Sequence, residues 1–248
     1  MIWLKRFATD LIGAHVDGVR TVRALPWLFG AVIAWKLAQH VIEVRIGFFT
    51  SVEGARAVQE DSSRMLLGWV KMLSVYIGGF FVLRQLAGRT NAPVGTAARR
   101  YLPYVVYSLL IFALIFYARS FLGAEHVNEA RTVIGLSQVA IEPLLMLWFV
   151  AAATDGAVRT PVESARKLGW LYAYALPLFF VARIPVNAAH QLLNRYAMGQ
   201  PAALLWPMLV LDAIVVGLII AVLPAIAVRI AQRAEERETA VPSAMALA

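Results

Sequence analysis

Residues 204–228 read LLWPMLVLDAIVVGLIIAVLPAIAV, and Asp212 is the one ionisable side chain in this run. About 20 consecutive apolar residues cross the hydrocarbon core of a bilayer as a helix, so the run predicts a transmembrane helix. The whole chain has the same character, because 60% of its 248 residues are hydrophobic and 15% are charged. Soluble domains carry roughly 45–50% apolar and about 25% charged residues. The composition therefore excludes a soluble globular protein and a disordered chain.

Six apolar segments of this kind predict an all-α integral membrane protein, with a bundle of six transmembrane helices within residues 25–230. We place the spans at about 26–47, 65–84, 101–119, 133–153, 168–186 and 204–228. Pro26, Pro103 and Pro161 are expected at or before helix starts, where the missing N–H costs little.

The N-terminal segment 1–24 is not typical of a signal peptide, because it lacks a long apolar core. One set of mostly apolar residues recurs at helical spacing: Leu4, Phe7, Leu11, Ile12, His15, Val16, Val19 and Val22. This pattern predicts an amphipathic helix in the membrane interface, and packing against the cytoplasmic face of the bundle is equally compatible. Residues 231–248 are expected to form a tail that begins as a charged helix and ends disordered.

The positive charges predict the orientation of the chain. Outside the spans, 14 Lys and Arg residues lie in the two terminal segments and the second and fourth loops, and 5 lie in the first, third and fifth loops. The positive-inside rule makes the richer side cytoplasmic, which gives two cytoplasmic termini and explains the net charge of +8 without nucleic acid. The Ala-, Val-, Leu- and Arg-rich composition favours a bacterial inner membrane.

Ionisable residues inside the spans are the candidate functional groups, because a charge at the bilayer centre costs about 2.5–3.5 kcal/mol and needs a partner. The predicted polar network comprises Lys36, Gln39, His40, Glu43, Lys71, Gln138, Glu142 and Asp212. The first four follow one helical face. We expect Lys36 and Lys71 to meet Glu142 and Asp212. Such a network either holds the helices in register or lines a hydrated pocket that binds a polar or anionic group.

Two further patterns accompany these charges. Pro143 follows Glu142 directly and, like Pro177, is expected to kink its span. After the fifth span, polar residues recur at helical spacing: Arg183, Asn187, His190 and Asn194. They predict either a lid over the polar pocket or an ordinary amphipathic helix at the interface.

Catalytic and cofactor motifs are missing from the sequence. It has no cysteine, which excludes disulfides, thiolate metal sites and cysteine catalysis. It has no glycine-rich phosphate loop, no H-E-x-x-H and no G-x-S-x-G. We therefore expect no enzyme activity, no metal and no cofactor.

Three functions remain open. The first is an accessory or assembly subunit that binds other membrane proteins. The second is a secondary transporter for a small polar or anionic solute. Such a transporter could be coupled to protons, and a chain with six spans would work as a homodimer. The third is a lipid-handling protein that gathers anionic lipid. Two cations balanced by two anions favour the first, because a substrate site more often leaves a charge unbalanced.

Overall fold

The computed structural model describes residues 2–88, 93–123 and 125–245. Within these ranges the elements are α1 Ile2–Ala24, α2 Pro26–Arg45, α3 Val52–Ala57, α4 Ser62–Ala87, α5 Val94–Phe116, α6 Ala118–Leu122, α7 Val127–Thr154, α8 Pro161–Leu168, α9 Tyr172–Ala197 and α10 Ala202–Met245. A 3-10 turn at Gly169–Leu171 joins α8 to α9. No strand occurs in the described ranges, so the prediction of an all-helical chain is confirmed.

Five helical segments are long and apolar enough to cross a membrane. They are Ser62–Ala87, Val94–Phe116, Val127–Thr154, Pro161–Ala197 and Ala202–Thr239. The predicted first span at 26–47 passes this test only when Pro26–Arg45 is taken together with α1, from which it is bent by 95°. The polar stripe on α2 is the physical reason, because it lowers the apolarity of that helix. Among the described residues, five helical segments can therefore span a membrane, or six when the bent pair counts as one, as is typical of a multi-pass membrane protein.

Several helices are longer than the apolar runs that predicted them. Helix α5 begins at Val94, so Pro103 lies inside the helix and not at its start. Helix α9 continues to Ala197, beyond the predicted end at 186. Helix α10 runs to Met245 through the segment expected to end disordered, and residues 246–248 of that segment lie outside the described ranges. Hydropathy marks where a helix is apolar, whereas backbone hydrogen bonding continues through polar turns at its ends.

Helix α1 buries a narrow stripe that differs from its apolar face. Asp10, Ala14, Gly18 and Thr21 are buried at a spacing of three or four residues. Much of the apolar face is exposed, at Leu4, Ile12, Val16 and Val19, whereas Phe7, Leu11 and Val22 are half-buried. Small residues such as Gly18 allow close approach, since a Cβ there would lie 2.9 Å from Val222 Cγ2 of α10.

The chain divides into two compact units. Unit 1 comprises Met1–His15, Phe80–Ala182 and Pro224–Ala248, and unit 2 comprises Val16–Gly79 and Arg183–Leu223. Helices α1, α4, α9 and α10 each contribute residues to both.

In unit 1, a side chain interrupts helix α7 just after Pro143. The Ser164 hydroxyl donates to the Leu144 carbonyl at 2.6 Å and accepts from the Trp148 amide at 3.2 Å. It thereby bridges two groups that would bond each other in an unbroken helix, which is a recognised cause of bending. Pro143 and Pro177 both lie inside helices, as their positions in the spans predict.

In unit 2, an apolar cluster joins the end of α2 to α9 and α10. Phe49, Ala197, Leu205 and Leu209 are buried together. The Gly199 amide donates to the Phe49 carbonyl at 2.8 Å, and Gly199 has φ +72°, a conformation that glycine adopts without strain. This cluster holds the end of α9 and the start of α10 beside the polar residues of α2, where the Phe49 ring lies 5.8 Å from the ring of His40.

Candidate functional site

Helix α2 supplies one continuous polar face to the interior of unit 2. Lys36, Gln39, His40 and Glu43 are all buried, each with a relative exposure of 4% or less. Their spacing of three, one and three residues places them along a single stripe of the helix. A stripe of this kind needs polar partners, because unpaired buried charges cost several kcal/mol.

His40 lies at the centre of the polar contacts. Its Nδ1 lies 3.0 Å from Glu43 Oε2, and its Nε2 lies 2.9 Å from Asp212 Oδ2. A carboxylate only accepts hydrogen bonds, so both contacts form together in two ways. Either the ring is an imidazolium, or it is neutral beside one protonated carboxyl group. In both cases one extra proton is held between the two acids.

Asp212 of α10 is the most heavily coordinated acid in the unit. Lys36 Nζ lies 3.5 Å from Oδ2, the oxygen that also contacts His40. His190 Nδ1 lies 2.5 Å from Oδ1, and Asn194 Nδ2 donates to the same oxygen at 2.8 Å. The Asp212 side chain is fully buried, so these partners replace all of its contact with solvent.

Glu43 is held from α2 and α4. Gln39 Nε2 donates to Glu43 Oε1 at 2.9 Å, and Arg64 Nε lies 3.3 Å from the same atom. The Arg64 guanidinium stacks over the Phe48 ring at 4.5 Å from its centroid. We name the set Lys36, Gln39, His40, Glu43, Arg64, His190, Asn194 and Asp212 the unit 2 network.

Lys71 of α4 lies beside the unit 2 network without joining an ion pair. It is half-buried and within electrostatic range of Lys36, Arg64, Glu43 and Asp212. Among the described residues, however, no carboxylate lies within ion-pair distance of its ammonium group. Three cations, Lys36, Arg64 and Lys71, therefore face two carboxylates.

The side chains of the network differ in how much of their surface is exposed. The side chains of Arg64 and His190 keep 20% and 25% of their exposure, whereas Lys36, His40, Glu43 and Asp212 keep 4% or less. Lys71 is also partly exposed. Arg64, Lys71 and His190 are therefore the basic side chains here that remain partly accessible from outside the unit.

The remaining residues of the predicted network lie in unit 1. Glu142 and Gln138 are both on α7, where the Tyr104 hydroxyl donates to Glu142 Oε1 at 3.3 Å. The predicted lid residues Arg183, Asn187, His190 and Asn194 all lie on α9 inside unit 2. Two of them, His190 and Asn194, bind Asp212 directly, so this helix forms a wall of the network.

Arg64 is the contributor that the sequence reasoning missed. It was counted as a loop residue because the second span was placed from residue 65. It lies seven residues before Lys71, which is two helical turns, so both share one face of α4. Extending the helix by one turn from the apolar run would have found it.

Unit 1 contains a further buried acid, Asp10 of α1. Arg233 donates to it twice, from Nε to Oδ2 at 2.8 Å and from Nη2 to Oδ1 at 2.9 Å. The Tyr174 hydroxyl donates to Oδ2 at 2.5 Å, and Arg229 Nη1 lies 3.5 Å from Oδ1. With these partners, Asp10 is only 2% exposed.

Within the described ranges, no group of three or more His, Asp or Glu side chains is arranged to hold a metal ion. Comparison of the chain with known protein families, with curated proteins and with solved structures finds no match.

Proposed function

We propose that this membrane protein binds a small anion at the basic rim of the unit 2 network and acts as a secondary transporter for it. The observation that carries the proposal is the charge count: three cations, Lys36, Arg64 and Lys71, face the two carboxylates of Glu43 and Asp212. The extra proton held between His40 and the two acids adds to this excess. A buried, uncompensated charge is expensive, and an anion beside Lys71 would offset it.

This charge count changes the preference between the two leading functions. A balanced set of two cations and two anions favoured an accessory subunit. Arg64 is part of the network, and the acids that the network contains are Glu43 and Asp212, so the cations outnumber the carboxylates within unit 2. An unmatched cation at an accessible rim is typical of a ligand site.

The test uses purified protein in detergent with sodium chloride, sulfate, phosphate or succinate, added against a gluconate background of constant ionic strength. We expect one of these anions to raise the unfolding temperature in a saturable way, because a ligand that binds the folded state stabilises it. Lys71→Gln should weaken that effect about tenfold or more, a change of about 1.4 kcal/mol per tenfold. Lys71→Arg should retain most of it.

Lys5→Gln is the matched control, because it removes one exposed lysine of unit 1 and should leave anion binding unchanged. Uptake of the same isotopically labelled anion into proteoliposomes then tests transport, with Lys71→Gln expected to abolish it. The proposal fails if none of the four anions binds, or if Lys71→Gln binds as tightly as wild type.

An accessory or assembly role is the second candidate, and a separate observation favours it. Each of the four carboxylate oxygens of Glu43 and Asp212 already has a donor or a cation beside it. Buried acids whose oxygens are all contacted in this way can specify how helices pair. This role predicts a partner of constant stoichiometry in affinity purification followed by native mass spectrometry. A lone monomer or homodimer would contradict it.

A further inference from the structure

Unit 1 carries an open cleft that combines arginines with exposed tryptophans. Its volume is about 710 Å³, and its walls include Trp3, Arg6, Trp170, Tyr174, Arg233 and Arg237. Ligand sites commonly measure about 300–1,000 Å³, so the cleft is large enough for a lipid headgroup and the first part of its chains.

The basic residues of the cleft differ in how they are held. Arg233 is fixed in place, because it donates twice to Asp10 and its Nη1 donates to Glu236 at 2.7 Å. Arg6 and Arg237 are exposed. Neither makes a hydrogen bond or an ion pair with the residues that the structure describes. Two guanidinium groups are thus free for a phosphate, whose geometry they match with paired N–H donors.

The aromatic wall is ordered and lies beside these arginines. Trp3 stacks on Phe7 with a centroid separation of 5.5 Å, and both meet Tyr174 edge-on at 5.7 and 5.9 Å. Trp170, in the 3-10 turn before α9, is 87% exposed. Indole rings favour the headgroup level of a membrane, where one edge is wet and one face is apolar.

The cleft is built by three segments that the charge count assigns to one side of the membrane. Trp3 and Arg6 come from the N-terminal helix, Trp170 from the connection before α9, and Arg237 from the C-terminal part of α10. Lys167 and Glu238 also join two of these segments, at 3.2 Å. A basic site at this level would face the anionic headgroups of the cytoplasmic leaflet.

We propose that this cleft binds an anionic glycerophospholipid, with the phosphate on Arg6 and Arg237 and the upper acyl chain against Trp170. The acidic rim residue, Glu236, does not oppose this, because its carboxylate is already bonded to Arg233. A free phosphate would leave the Trp170 ring without an apolar partner, so the lipid is the better occupant. This inference does not depend on anion binding in unit 2.

The test measures lipid binding to delipidated full-length protein by native mass spectrometry, with phosphatidylglycerol and phosphatidylcholine of equal chain length as probes. We expect tighter binding of phosphatidylglycerol, and about a tenfold or greater loss in the Arg6→Gln/Arg237→Gln double variant. Both arginines are exposed, so the variant should fold. Trp170→Ala should weaken the binding of phosphatidylglycerol, whereas excess inorganic phosphate should not displace the lipid.

Arg20→Gln/Arg99→Gln is the matched control, since both residues are exposed, lie outside the cleft and belong to the same predicted side. It removes the same charge and should leave phosphatidylglycerol binding unchanged. Equal binding of the two lipids, an equal loss in the control, or unchanged binding in the Arg6/Arg237 variant would overturn the proposal. Displacement by inorganic phosphate would overturn it in favour of a free-anion site.

Discussion

Asp212→Asn is expected to lower the free energy of unfolding by about 3–5 kcal/mol, the cost of removing one partner from a buried ion pair. The substitution keeps the shape of the side chain but removes the charge that Lys36 Nζ meets at 3.5 Å and His40 Nε2 at 2.9 Å. Lys36 would then stay buried without its ion-pair partner, and His40 would keep only its contact with Glu43. Titration of the protein with sodium dodecyl sulfate in mixed micelles, followed by far-ultraviolet circular dichroism, measures the change.

A second variant separates the cost of the stranded charge from the loss of hydrogen bonds. Lys36→Met combined with Asp212→Asn removes both members of the pair, so it should be less destabilised than the sum of the single variants. The coupling energy is expected at about 0.5–3 kcal/mol. Glu129→Gln is the control, since its side chain is 83% exposed and its loss should change stability by about 0.5 kcal/mol or less. Additive single effects would show that Lys36 and Asp212 do not act as a pair.

Asp10→Asn is expected to lower the free energy of unfolding by about 2–3 kcal/mol, less than Asp212→Asn. The carboxylate accepts two hydrogen bonds from Arg233 and one from Tyr174. Its negative charge strengthens all three, so the substitution weakens each of them. The loss is smaller because the Arg233 and Arg229 side chains are 23% and 21% exposed and can turn towards solvent. The same micelle titration measures it.

Two further variants test whether the loss of stability in Asp10→Asn comes from the contacts of that carboxylate. Tyr174→Phe removes one charge-assisted hydrogen bond and should cost about 1.5–3 kcal/mol, with little further loss when it is combined with Asp10→Asn. Asp17→Asn, on the same helix, removes an acid whose ion pair with exposed Arg20 is weak at 3.8 Å. If Asp17→Asn destabilised the protein as much as Asp10→Asn, the loss would reflect a general effect of charge on α1.

The membrane class and most helix positions could be predicted from the sequence, because they depend on local composition. Apolar runs of about 20 residues locate the spans wherever they occur in the fold. The stripe Lys36, Gln39, His40 and Glu43 was also predictable, since helical periodicity depends only on spacing. Hydropathy did not locate the helix ends at Val94, Ala197 and Met245, because polar turns extend these helices beyond their apolar runs.

The partner of each buried charge could not be predicted in this way. Asp212 was expected to pair with lysines and does contact Lys36, but two residues assigned to a lid, His190 and Asn194, complete its coordination. Glu142 was grouped with the same acids and instead accepts from Tyr104 in unit 1. Periodicity assigns a residue to a face of its own helix and does not specify which neighbour that face meets.

The sequence by itself determined a multi-pass helical membrane chain and one polar face on α2. Only the tertiary structure decided that Arg64 completes the unit 2 network and that Asp10 meets Arg233, 223 residues away along the chain. The physical reason is that a charge buried in the membrane requires a partner of opposite charge. Any helix that packs closely enough can supply that partner, so the sequence of one helix does not specify it. Packing selects among those helices through contacts distant in sequence.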